Sequence, residues 1–109
     1  MTWIQLQSAE QLNNIKQQTG YSLIFKHSTR CSISMMAKRR FELDWDTLPK
    51  DMPLYFLDLI QYRDISSQIA DVFQVHHESP QLLLIKDGEC ILDQSHGGIS
   101  VEETLSEIQ

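Results

Sequence analysis

Cys31-Ser32-Ile33-Ser34 is the segment of this chain whose residue types and spacing could do chemistry. Ser22 to His27 reads as a buried strand, Ser28-Thr29-Arg30 as a short turn, and Ile33, Met36, Ala37 and Phe41 recur at helical spacing. A thiol at that junction stands at a helix N-terminus, facing free backbone N–H groups and the positive end of the dipole, both of which favour a thiolate. Ser34 falls one turn on along the same face, where its hydroxyl is expected to donate a hydrogen bond to the sulfur. This is the pattern of a thiol that attacks disulfides, although a lone cysteine can equally be a small buried apolar residue.

A dithiol oxidoreductase has its second cysteine where Ser34 stands, and that cysteine expels the bound partner by closing an internal disulfide. Serine cannot do so. A chain with one such thiol forms mixed disulfides and needs an outside thiol to release them. Cys90 is a poor resolving candidate. A strand from Gln81 to Lys86 carries the chain about 20 Å from Pro80, and Cys90 begins the return strand at that far end.

The elements that must position Cys31 are legible along the chain. Ile4 and Leu6 suggest a first strand, Ser8 with Gln11 a capping box, and Gly20 the end of the first helix. The Cys31 helix runs to about Leu43. Pro53 to Ile60, nearly all apolar, reads as a central strand covered on both faces. Asp64 is placed as the cap of a helix bearing Ile65, Ile69, Val72 and Phe73. Leu82 to Ile85 and Cys90 to Leu92 flank Asp87-Gly88, a hairpin signal. Ser100 and Glu103 form a last capping box, with Val101, Leu105 and Ile108 facing inward. The order β-α-β-α-β-α-β-β-α is that of an α/β, thioredoxin-like fold: a mixed sheet of about five strands flanked by about four helices, in a single domain over residues 1–109. In that fold a cis-proline precedes the fourth strand beside the redox cysteine, the place Ser79-Pro80 takes here.

Composition narrows the function classes. The chain has 109 residues and a net charge of -6, which disfavours nucleic acid as a partner. Five of its nine basic residues, Lys26, Arg30, Lys38, Arg39 and Arg40, nevertheless lie within ten positions of Cys31. Lys26 and Arg30 flank the thiol and could stabilise its anion or attract an acidic substrate; Lys38-Arg39-Arg40 read as a solvated face. The N-terminus lacks a signal-peptide pattern and no apolar run could span a membrane, so a cytoplasmic location with reduced thiols and no membrane partner is expected. His27, His76, His77, His96 and Cys31 match no ligand spacing, and neither a metal nor a tightly bound cofactor is expected. On the way back from Cys90, His96-Gly97-Gly98 should come level with Pro80, just before the Ser100 helix N-terminus, where a carboxylate could be held.

Phe25 to Ser34, Val75 to Gln81, Lys86 to Gly88 and Ser95-His96 together resemble the monothiol bacilliredoxin family, YtxJ-like proteins of the bacillithiol system, over nearly the whole chain. Here Arg30 separates Thr29 from Cys31 and Ser32 replaces proline in the family's Thr-Cys-Pro-Ile-Ser pattern. The resemblance implies a small oxidoreductase that removes bacillithiol, or a similar low-molecular-weight thiol acting as co-substrate, from S-bacillithiolated client proteins. Cys31 and Ser34 would be catalytic, with Thr29, Arg30, Ile33, Ser79, Pro80, His96, Gly97 and Gly98 receiving the substrate. The competing expectation is a non-enzymatic module that holds a partner protein at the Cys31 and Pro80 surface.

Overall fold

The computed structural model describes residues 1–108. Five strands form one mixed sheet: β1 (Ile4–Gln5), β2 (Tyr21–His27), β3 (Leu54–Asp58), β4 (Gln81–Lys86) and β5 (Glu89–Ser95), in the order β1-β3-β2-β4-β5. β3 runs parallel to β1 and β2, whereas β4 is antiparallel to both β2 and β5. Four helices flank it: α1 (Ala9–Gln17), α2 (Ser32–Asp44), α3 (Arg63–Phe73) and α4 (Val101–Ile108). This is the thioredoxin-like α/β arrangement expected from the element order.

Alternation along the strands divides the core in two. On one face Leu23 and Phe25 of β2 pack with Leu82 and Leu84 of β4 against Ala37 and Phe41 of α2 and Val101 of α4. On the other, Ile24, Leu57 and Leu83 pack against Leu12 and Ile15 of α1 and Ile65, Ile69 and Phe73 of α3. Trp3 closes the first face, with its ring 5.7 Å from those of Phe25 and Phe41 and 5.1 Å from that of Trp45.

Several local expectations are corrected. β3 is an interior strand with Leu54 in one half of the core and Leu57 in the other, but it is shorter than expected, its Tyr55 and Phe56 stay half-buried, and β2 stands at the middle of the sheet. The helix face is also rotated: the buried stripe of α2 is Ser34, Ala37 and Phe41, while Ile33 is 55% and Met36 67% exposed. Tyr62 caps α3, and Asp64 lies in its first turn. Asp58 shapes that entry instead, its carboxylate accepting from the N–H groups of Ile60 and Gln61 at 3.2 and 3.4 Å. α1 ends at Gln17, and Gly20 serves the next junction, donating its N–H to the Asp87 carboxylate at 2.7 Å. Each capping serine accepts the expected bond, from Gln11 N–H at 3.2 Å and from Glu103 N–H at 3.3 Å. The reciprocal halves are diverted: the Gln11 carboxamide oxygen accepts from Gln7 N–H, and Ser100 N–H goes to the Gln94 side chain.

Asp87-Gly88 forms the β4–β5 hairpin with φ of 51° and 82°, the positive pair that a two-residue hairpin turn requires. A Cβ at Gly88 would stand 2.0 Å from the Lys16 carbonyl oxygen, so only glycine fits there. The hairpin also sets the Cys90 position, opposite Ile85, while Gln81 lies opposite Ser95 at the other end.

Candidate active site

Ser28 carbonyl accepts from Cys31 N–H at 3.2 Å, turning the chain out of β2 so that Cys31 becomes the N-cap of α2. Its backbone is extended, and no side chain caps the helix. The first intrahelical bond is from Met35 N–H to the Cys31 carbonyl, so the N–H groups of Ser32, Ile33 and Ser34 point out of the helix end beside the half-buried thiol. A thiolate is the natural acceptor for such groups. Thr29 and Arg30 are exposed in the turn just before it, and Ile33 is exposed just after it.

Ser34 is differently employed from the sequence expectation. Fully buried, its Oγ accepts from Ser28 N–H at 3.0 Å and lies 2.7 Å from His27 Nδ1. The hydroxyl proton completes the chain by pointing to Nδ1, which assigns the proton of a neutral His27 to Nε2. Burial, and then the nearby Lys38 charge, hold His27 below its ordinary pKa, consistent with a neutral ring. Ser34 therefore ties the helix start to the end of β2 and does not donate to sulfur.

Lys26 departs further. Adjacent residues of a strand point to opposite faces, and Lys26 shares the face of Ile24, away from α2. It is 0% exposed and donates to His77 Nδ1 at 2.8 Å. Burial lowers its pKa to about 8, partly offset by Glu78. It is thus unavailable to the Cys31 anion; instead it fastens β2 to the loop leading to Pro80. Nothing in the sequence marked this contact, nor the Ser34–His27 contact, because each joins residues through the fold rather than through spacing.

The Ser79-Pro80 bond is cis, with Pro80 buried and Ser79 half-buried. His96 N–H donates to the Pro80 carbonyl at 3.1 Å, which brings His96, Gly97 and Gly98 level with Pro80. These three residues form an exposed 3-10 turn, with His96 at a φ of 53°. Arg40 reaches across from α2 to the carbonyls of His96 and Ile99, both at 3.4 Å. Cys90 lies at the opposite end of β5, where burial, with help from Asp93, pushes its thiol up to about 11.

A family model described as monothiol bacilliredoxin BrxC matches residues 4–104. The chain belongs to that family. Among solved structures, it is 33% identical to a protein described as a candidate oxidoreductase with a thioredoxin fold, over 97% of this chain and 93% of that one, with a TM-score of 0.85. It also resembles the Malassezia sympodialis thioredoxin, a member of a pan-allergen family, at 22% identity over 98% and 88% of the two chains with a TM-score of 0.72. Mitochondrial thioredoxin 3 of Saccharomyces cerevisiae is similar at 19% identity over 97% and 92%, with a TM-score of 0.75. At those identities the two thioredoxins speak to the fold alone. Family and fold together support a thiol redox role. No helix among the described residues is long and apolar enough to cross a membrane.

Proposed function

We propose that this bacilliredoxin-family chain is a monothiol thiol-disulfide oxidoreductase that removes bacillithiol, or a similar low-molecular-weight thiol, from protein mixed disulfides. One observation carries the reading: Cys31 stands at an otherwise uncapped helix N-terminus, with the outward N–H groups of the first turn available to its sulfur. The Cys31 thiolate attacks the small-thiol sulfur of the mixed disulfide. A bond forms between those two sulfurs, the old disulfide breaks, and the client cysteine leaves as a thiolate and takes a proton. A second small thiol, as its thiolate, then attacks the adduct. It leaves as a low-molecular-weight disulfide, and Cys31 is freed.

The rest of the site is read around that exchange. Thr29, Arg30 and Ile33, exposed on either side of Cys31 in the chain, are assigned to the client, and Ser79 and Pro80, at the start of β4, to the small thiol. Ser34 is a positioning residue that fixes the start of α2 through His27 and Ser28. Cys90 takes no part, since its thiol is held protonated at the far end of the sheet. The chemistry suits a reducing cytoplasm, with S-bacillithiolated proteins as partners and the small thiol as co-substrate.

A second reading rests on the exposed Ile33, Met35 and Met36 beside Cys31, an apolar surface that could hold a partner without chemistry. Incubation with a bacillithiol-modified model protein, beside its glutathione-modified counterpart and in the presence of the free small thiol, separates the two. Release of bacillithiol that is lost in Cys31→Ser supports the oxidoreductase. Equal rates on both substrates would remove the preference for bacillithiol. No release from either would favour the holding module.

A further inference from the structure

A cavity of about 480 Å³ runs along α2 from the active-site end, lined by His27 of β2 and by Ser32, Met35, Met36, Lys38, Arg39 and Glu42 of the helix. Ser32, Met35, Met36 and Arg39 are spaced i, i+3, i+4, i+7, so they make one continuous helix face that begins at the residue after Cys31. Seven residues at the helical rise place Arg39 about 10 Å from Ser32. A thiol compound of about three residue lengths spans a similar distance. The volume falls in the range of small-molecule sites, roughly 300–1,000 Å³.

The charges of the cleft select its occupant. Glu42 is the one carboxylate in the lining, and it is already engaged: Lys38 Nζ donates to it at 2.8 Å and Trp3 Nε1 at 2.7 Å. Burial works against its ionisation, but these two hydrogen bonds outweigh that and keep it a paired anion. Arg39 is exposed, and its guanidinium has no hydrogen-bond or ion-pair partner among the described residues. The thioether side chains of Met35 and Met36 supply an apolar wall.

The turn at Gly97 and Gly98 is a poorer place for an anion. Its cavity is about 230 Å³ and has Asp44 and Glu102 in its lining. Arg40 there is committed to the His96 and Ile99 carbonyls, and the N–H groups of Ser100 and Glu103 are taken by Gln94 and Ser100. Glu102 and Glu103 occupy the first turn of α4 and repel a carboxylate.

We infer that the cleft along Ser32, Met35 and Arg39 is the subsite for the carboxylate-bearing remainder of the small thiol while its sulfur is joined to Cys31. This rests on the disulfide-exchange reading of Cys31. The covalent step is unchanged: the Cys31 thiolate attacks one sulfur of a symmetric or mixed disulfide, the second sulfur leaves as a thiolate, and the carboxylate of the retained half pairs with Arg39.

Three small disulfides that differ in charge test it: dithiodipropionate (anionic), bis(2-hydroxyethyl) disulfide (neutral) and cystamine (cationic). Rates of Cys31 adduct formation are divided by those of a free cysteine peptide, which removes intrinsic reactivity. The wild type should prefer the anionic probe, and Arg39→Glu should lower that preference about two- to fivefold, the size of a surface charge pair. Rising salt should erode it. Lys50→Glu makes the same change in net charge on the loop before β3, outside the lining of this cleft, and should leave the preference intact. An unchanged preference in Arg39→Glu, or an equal drop in Lys50→Glu, overturns the subsite while leaving the exchange reaction standing. Failure of the folded wild type to react with any probe overturns the exchange reading itself.

Discussion

The Ser34 hydroxyl oxygen lies 2.7 Å from His27 Nδ1, and that contact joins the last residue of the central strand to the first turn of the helix that begins at Cys31. Ser34→Ala leaves Nδ1 and the Ser28 N–H without their partner in a buried site. The expected loss is about 1–3 kcal/mol in chemical denaturation. Cys31 alkylation should also change in the variant, because the helix start is no longer pinned. A variant as stable as wild type, with the same alkylation rate, would deny Ser34 this positioning role.

The same contact gives a pH dependence. His27 has its folded pKa below the ordinary imidazole value of 6.5, so the unfolded chain takes up a proton first as pH falls. Stability contributed by neutral His27 is therefore present above pH 6.5 and is lost as pH drops below it. Protonation puts a hydrogen on Nδ1 and ends its role as acceptor from Ser34. An NMR titration should place the His27 midpoint below 6.5; a midpoint above it would contradict the hydrogen-bond assignment.

The two thiols should separate cleanly by alkylation. With Cys90 pushed up to about 11 and partly buried, it is almost wholly protonated at pH 7.5. Brief iodoacetamide treatment should add one label at Cys31, leave Cys31→Ser unlabelled and leave Cys90→Ala labelled as wild type. Preferential labelling at Cys90 would reverse the assignment of the nucleophile.

Lys26 makes a prediction of the same sign as His27, in a higher pH window. Its folded pKa of about 8 lies below the 10.5 of the unfolded side chain, so between those values the unfolded chain holds the extra proton and stability rises with pH. Between pH 7 and 9 the gain attributable to Lys26 is roughly 1 kcal/mol. Lys26→Met should lose that increment relative to wild type in urea titrations at the two pH values. It also frees His77, so the loop before Pro80 should exchange its amide hydrogens faster. Identical pH slopes in the two proteins would mean that Lys26 is not held in its buried contact.

Much of this was legible in the sequence for physical reasons. Period-2 and period-3.6 patterns gave the strands and helices, and Asp87-Gly88 could hardly be other than a hairpin turn, so the level of Cys90 and of His96 followed from strand rise alone. Cys31 is legible because a helix N-terminus has a local signature. What escaped were contacts that depend on rotation and side-chain reach. The apolar pattern of Ile33, Met36, Ala37 and Phe41 does not distinguish the buried half of α2 from the exposed half. Ser34 settles it, through partners six and seven residues earlier in the chain. Lys26 looked like a neighbour of the thiol in sequence, yet strand alternation sends it through the sheet to His77, 51 positions on.

Whether Cys31 takes up the small thiol or the client protein is decided by intact-mass analysis of the product trapped after one turnover. Wild-type protein is mixed with a bacillithiol-modified client in the absence of free thiol and quenched with acid. The chain should gain the mass of one bacillithiol, on the peptide containing Cys31, while the client returns to its fully reduced mass. A chain joined to the whole client, or an unmodified chain beside an untouched client, would contradict it.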